Sequence, residues 1–155
     1  LKQAGFEVGN SLVENGDDLK ALKKKKKILL PIDVEVLRNG KALSCTLEDI
    51  KPGDVIIDSG KNTTKLLAKI VANSKTVLWN GPLGKYESPH GKEASLSVLK
   101  ALTKNRKCFS VIGGGDITAV STPAIEKKLS FVSTGGGATL EFLATGTLPG
   151  IKALK

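Results

Sequence analysis

Two glycine triplets carry the clearest chemical signal in this chain. Gly113-Gly114-Gly115 follows the β-rich run Cys108-Phe109-Ser110-Val111-Ile112 and is capped by Asp116. Gly135-Gly136-Gly137 follows Phe131-Val132-Ser133-Thr134 and leads into Ala138-Thr139-Leu140. Three successive glycines are unfavourable in backbone entropy. Placed twice between a strand and a helix, they point to bare backbone that something must approach. Helix N-termini present unpaired N–H groups and the positive end of the dipole, so phosphate is the ligand such turns suit. A carboxylate just after the glycines can hold Mg²⁺ directly or through water, which makes Asp116 the candidate metal ligand. A plain helix cap is the commoner use of an Asp in that place. The second triplet has no adjacent acid, which suits a charged phosphoryl group better than a metal.

Other chemistries find little support. No G-x-x-x-x-G-K-[ST] run is present, and Thr118 stands where G-x-G-x-x-G needs its last glycine. The single histidine, His90, completes neither a Ser-His-Asp set nor a metal cluster, and Cys45 and Cys108 form no C-x-x-C pair. Phosphoryl transfer tolerates the lack of paired catalytic carboxylates, because positioning and charge stabilisation carry most of it. Glu87 is a candidate acceptor for ribose hydroxyls or a solvated loop charge, and Asn80 and Pro82 can shape a turn or touch a ligand.

The elements that must position these residues read as an α/β fold. A helix spans Asp17–Lys27, ending in the lysine run Lys23–Lys27. That run suits a solvated helix end better than a nucleic-acid patch, since no Arg or aromatic residue interrupts it. Ile28–Val36 reads as a strand whose first part is apolar enough for a parallel strand covered on both faces. Asn39-Gly40 is a hairpin turn, with a return strand over Ser44–Leu47. Lys51-Pro52-Gly53-Asp54 is a further turn, and Val55–Asp58 a buried strand. A helix capped by Asn62 or Thr63 runs to about Ala72. Thr76–Trp79, Cys108–Ile112 and Phe131–Ser133 read as strands, with helices over Gly91–Thr103 and Ala138–Ala144. Ser121 and Thr122 restart a helix at Pro123, and Leu148-Pro149-Gly150 opens an irregular tail. Strand–helix alternation from Val55 onward implies a three-layer, Rossmann-like, mostly parallel sheet with helices on both faces and no internal boundary. Loops 58–62, 79–87, 112–116 and 133–137 then gather beyond the carboxyl ends of the strands, where open α/β sheets bind ligands.

Composition fits one globular domain of 155 residues, 40% hydrophobic and 25% charged. A net charge of +9 favours an anionic ligand without naming it, and an aromatic content of 4% disfavours a nucleic-acid stacking platform. No run is long enough for a membrane span. The chain starts without Met or a signal-peptide pattern, which reads as a piece of something longer, and its cysteines suit a reducing, cytoplasmic setting.

Three motifs in register resemble phosphoglycerate kinase: Leu78-Trp79-Asn80-Gly81-Pro82-Leu83-Gly84, Ser110-Val111-Ile112-Gly113-Gly114-Gly115-Asp116 and Ser133-Thr134-Gly135-Gly136-Gly137-Ala138. Leu29-Leu30-Pro31-Ile32-Asp33-Val34 and Leu148-Pro149-Gly150-Ile151 are similar to it as well. The resemblance implies a two-lobed enzyme of glycolysis, usually monomeric, that passes a phosphoryl group between 1,3-bisphosphoglycerate and ADP. It implies that residues 1–155 are the later part of the C-terminal, nucleotide-binding lobe, with 3-phosphoglycerate held by a lobe this chain lacks. By the same resemblance, Gly60 lies near adenine and Asn80, Gly81 and Pro82 line the nucleoside site. Glu87 binds ribose. Gly113, Gly114, Gly115, Asp116 and Ile117 face the phosphates of ADP or ATP and the Mg²⁺, and Thr134 with Gly135, Gly136 and Gly137 stabilises the group in transfer. Three departures stand out. Ile117 replaces a hydroxyl residue, Lys61-Asn62 departs from an expected Gly-Pro pair, and Lys85-Tyr86 replaces a smaller or apolar pair. With the substrate lobe and a Gly-Gly-Ala-Lys segment missing, the chain alone is expected to be inactive. A non-catalytic basic module that binds nucleotide or nucleic acid is the alternative.

Overall fold

The structure, a computed structural model, describes residues 1–13 and 27–154. The helix expected over Asp17–Lys27, with its lysine run, lies outside the described residues except for Lys27. The chain divides into two compact units, Leu1–Leu67 with Leu83–Ala94 and Ala68–Pro82 with Ser95–Lys155. No such boundary is visible in the sequence, because two of the divisions fall inside helices.

The first unit is built on an antiparallel sheet. Strand β1 (Asp33–Arg38) lies between β2 (Lys41–Thr46) and β3 (Val55–Ser59). The Asn39-Gly40 turn has φ of 50° and 75°, the two left-handed positions that a two-residue hairpin needs. Val34 and Val36 alternate inward and pack with Leu47 and Ile50, backed by Phe6 and Ile56. The strand begins at Asp33, so Ile28, Leu29 and Leu30 are exposed rather than buried in a parallel strand. Pro31 explains the late start, since it lacks an N–H and restricts the residue before it. The Arg38 guanidinium grips Asp54 with two bonds, Nε to Oδ1 at 2.7 Å and Nη2 to Oδ2 at 2.6 Å. That fork ties the end of β1 to the turn at 51–54. The hydrogen bond from Arg38 holds the Asp54 carboxyl down at about 2.

Helix α1 (Lys61–Asn73) starts earlier than expected, and neither Asn62 nor Thr63 is its cap. Asp33 of β1 does that work from thirty residues upstream, accepting from Asn62 N at 2.9 Å and Thr63 N at 2.8 Å. The Thr63 hydroxyl in turn accepts from Ile32 N at 2.8 Å and Asp33 N at 3.0 Å. Burial pushes the Asp33 carboxyl up, but the N–H groups of Asn62 and Thr63 and the Thr63 hydroxyl outweigh it and hold the group below its usual value. Gly60 is buried, and a Cβ there would collide with the Asp33 carboxylate.

The second unit holds a parallel sheet in the order β4-β5-β6: Thr76–Asn80, Phe109–Gly113 and Phe131–Ser133. The parallel sheet therefore starts at β4. Strand β3 has the same strand–helix punctuation but pairs antiparallel with β1. Helix α2 (Glu93–Lys104) buries a stripe of Ser95, Val98, Leu99 and Leu102, spaced for one helical face. Trp79 and Ile112 are also buried. The opposite sheet face carries Leu78, Phe109 and Phe131, which are 48%, 58% and 58% exposed. Helix α3 (Gly115–Val120) follows β5, and α4 (Pro123–Glu126) restarts with Pro123 in its first turn and Ile125 N donating to the Thr122 hydroxyl at 3.3 Å. Helix α5 (Gly136–Thr145) takes two of the three glycines into its first turn. Where an irregular tail was expected, α6 (Pro149–Ala153) forms instead, with Pro149 in the first turn as helices favour.

Candidate functional site

Parallel register places Asn80 beside Gly113 and Gly113 beside Ser133, so β4, β5 and β6 end abreast. Three of the four expected loops thus leave one strand edge. The fourth, 58–62, follows β3, which pairs antiparallel with β1 in the first unit. After β5 the chain turns through Gly114 with φ 105° and ψ 141°, a conformation open to glycine and strained for other residues. Gly114 N donates to Ser133 O at 2.9 Å, which joins the first glycine turn to β6. Gly81 N donates to Gly113 O at 3.1 Å, and the Trp79 indole donates to Gly81 O at 2.6 Å.

The six glycines of the triplets then separate by what surrounds them. A Cβ on Gly136 would stand 2.8 Å from Gly114 Cα and 3.0 Å from Asn80 Oδ1. A Cβ on Gly113 would stand 3.1 Å from the same Asn80 oxygen. Internal packing therefore accounts for Gly113 and Gly136, with the Asn80 amide as the wedge between the turns, while its positive φ accounts for Gly114. Gly135 would meet only ordinary contacts, at 3.7 and 3.8 Å. Gly115 and Gly137 would meet nothing within 4 Å, and both are exposed. Among the described residues, nothing asks for glycine at those two positions. They leave backbone open beside the first turns of α3 and α5, and no side chain caps α5 at Gly135.

Polar groups around this edge are unevenly placed. Asp116 is exposed in the first turn of α3. Ile117 is 0% exposed, so its side chain belongs to the core and only its N–H could serve a ligand. Thr134 is exposed. The Ser133 hydroxyl accepts from Gly135 N at 3.2 Å and lies 2.9 Å from the Thr139 hydroxyl, which donates to Gly135 O at 2.6 Å. Thr139 is the shaping residue that sequence reading passed over, although its spacing of four from Gly135 was a usable signal. Pro82 is half-buried in the second unit, while Gly60 and Glu87 belong to the first, where Glu87 is exposed. Among the described residues no three His, Cys, Asp or Glu side chains gather to hold a metal. A cleft of about 440 Å³ lies elsewhere in the second unit, lined by α1 and α2 residues and by none of the glycine turns.

This edge has backbone amides, two turns that touch, and a hard oxygen donor at Asp116, which together fit a phosphorylated ligand with a Mg²⁺ ion. Comparison with known proteins identifies the family. A family model described as phosphoglycerate kinase matches residues 1–146. The chain belongs to the phosphoglycerate kinase family. The phosphoglycerate kinase of Dictyoglomus turgidum is 35% identical over all of this chain and 42% of its own length. That of Solibacter usitatus is 39% identical over 99% of this chain and 41% of its own length. Among solved structures, the phosphoglycerate kinase of Coxiella burnetii superposes with a TM-score of 0.82 at 34% identity, covering 100% of this chain and 43% of that one. The enzyme of Pyrococcus horikoshii OT3 gives 0.74 at 28% identity, covering 97% and 41%. The chain thus spans about two fifths of the phosphoglycerate kinases it matches.

Proposed function

We propose that this chain supplies part of the Mg-nucleotide site for phosphoryl transfer between 1,3-bisphosphoglycerate and ADP, as a portion of the C-terminal lobe of a phosphoglycerate kinase. The supporting observation is the pair of open glycines, Gly115 and Gly137, on turns where packing holds Gly113 and Gly136. Amides of Gly115, Asp116 and Ile117 would take the nucleotide's phosphate oxygens, with Gly113 and Gly114 shaping the turn that presents them. Those of Gly136 and Gly137, with Gly135 and Thr134 beside them, would stabilise the group in flight, aided by the positive end of α5. Asn80, Gly81 and Pro82 would line the nucleoside side, Gly60 would reach adenine through its backbone, and Glu87 would accept the ribose hydroxyls. Asp116 would hold Mg²⁺ as one carboxylate of a shell completed by phosphate oxygens and water. When bound, that ion would draw off negative charge as the phosphoryl group moves.

Phosphoglycerate would be bound by a region outside these 155 residues, so the isolated chain binds nucleotide and does not turn over. An NMR or calorimetric titration with ADP tests this, with and without Mg²⁺. The expected result is Mg-dependent binding that weakens on Asp116→Ala. Turnover of 1,3-bisphosphoglycerate plus ADP by the purified chain would sink the assignment of the phosphoglycerate site elsewhere. Salt-sensitive DNA binding with indifference to ADP would sink the nucleotide reading itself.

A further inference from the structure

Asp58 closes β3 as a buried carboxylate, 2% exposed, and has no part in the phosphate edge described above. Its Oδ2 accepts from Ala94 N in the first turn of α2 at 3.0 Å, and its Oδ1 accepts from Ser59 N at 2.8 Å. Against it folds the loop 83–91, which carries Glu87. A Cβ on Gly84 would stand 2.5 Å from Asp58 Oδ1, 2.5 Å from Ile57 O and 2.6 Å from Gly91 O. A Cβ on Gly91 would collide with Lys85 O. The loop thus crosses itself at two glycines, with Gly84 set against Asp58 and Gly91 against Lys85 and Ile57. Lys85 N donates to Ile57 O at 2.7 Å, and two successive turns, Ser88 N to Lys85 O at 2.8 Å and Gly91 N to Ser88 O at 3.1 Å, close the rest. Glu87 is exposed between those anchors.

We propose that Asp58 is the positioning residue of the Glu87 loop, joining the end of β3, the crossing at Gly84 and Gly91, and the start of α2 into one support. The inference rests on the ribose role proposed for Glu87. Its geometric part stands without that role. One carboxylate stabilises two things at once here: it accepts an otherwise unpaired N–H at the head of α2 and fills the space under the loop. Burial pushes the Asp58 carboxyl up from its usual value, and the backbone N–H groups of Ala94, Ser59 and Glu93 work against that rise. Removing the side chain leaves the N–H of Ala94 buried without its acceptor and a void under Gly84.

The test compares the 155-residue chain with Asp58→Ala and Asp58→Asn by amide hydrogen exchange and by titration with ADP and with pyrophosphate, each with Mg²⁺. The expected result for Asp58→Ala is exchange at Lys85 and Ala94 about tenfold faster or more, with the Asn39-Gly40 hairpin unchanged. ADP then binds about tenfold more weakly while pyrophosphate binding stays as it was. Asp58→Asn, which fills the space but keeps one acceptor oxygen of two, restores the protection in part and serves if the Ala variant fails to fold. Unchanged exchange at Lys85 and Ala94 in both variants overturns the proposal, as does an equal loss of ADP and pyrophosphate binding. If the parent chain binds pyrophosphate but not ADP, the nucleoside reading fails, and the exchange rates alone decide the positioning role.

Discussion

Three buried aspartates of the first unit contrast with an exposed one in the second. In the first, the aspartates Asp33, Asp54 and Asp58 are 7%, 0% and 2% exposed, and each is bonded to chain far from it in sequence. In the second, Asp116 and Thr134 are exposed at the strand edge, and the groups turned outward there include backbone beside Gly115 and Gly137. An Asp at the end of a strand is therefore no guide to its role. What it meets decides whether it is buried against distant chain or exposed.

Substitutions can break this contrast. The largest effect belongs to Gly136→Val, which drives a branched side chain into Gly114 and Asn80. It costs about 3 kcal/mol or more, read as a lower urea midpoint. Next comes Asp33→Ala, which strips the cap from α1 and lowers stability by about 1–2 kcal/mol in the same assay. Gly137→Ala reverses the sign: its Cβ meets open space in the first turn of α5, so stability holds or rises by up to about 1 kcal/mol. Mg-ADP affinity nonetheless falls. If Gly137→Ala leaves affinity unchanged, the open glycines have no ligand role and the contrast collapses.

The smallest effect is in acid. Asp54 has a folded value of about 2 against an ordinary 3.8, so the pair with Arg38 contributes stability that is fully present above the ordinary value and lost as pH falls toward 2. Asp33, also lowered, acts in the same direction. Asp58, raised by burial, acts oppositely, and its penalty as a charged group is relieved as pH falls through its folded value. Thermal melts between pH 5 and 2 show the sum, and Arg38→Ala flattens the acid limb. An acid limb as steep in that variant as in the parent would place the cause outside this pair.

Local chemistry was legible in the sequence and tertiary choice was not. Asn39-Gly40 announces its turn because both positions need left-handed backbone, and Pro123 announces a helix start because its missing N–H is not needed there. The glycine-rich strand edge was legible through the glycines of its two triplets. Their division into packed and open ones was not, since Gly136 and Gly137 differ only in what the folded chain brings near them. Strand β3 has the punctuation of a βαβ unit, and periodicity does not say which sheet a strand joins. The cap of α1 was invisible for the same reason, as the acceptor lies thirty residues away.

The apolar sheet face of Leu78, Phe109 and Phe131 has a colloidal consequence. A net charge of +9 keeps copies of the chain apart while their fields overlap. Salt shortens that reach to about 8 Å at physiological strength, while leaving the attraction between apolar faces in place. Light scattering therefore rises as NaCl is raised from about 0.01 M to 0.15 M, and Phe109→Lys flattens the rise. This chain is best kept in dilute buffer.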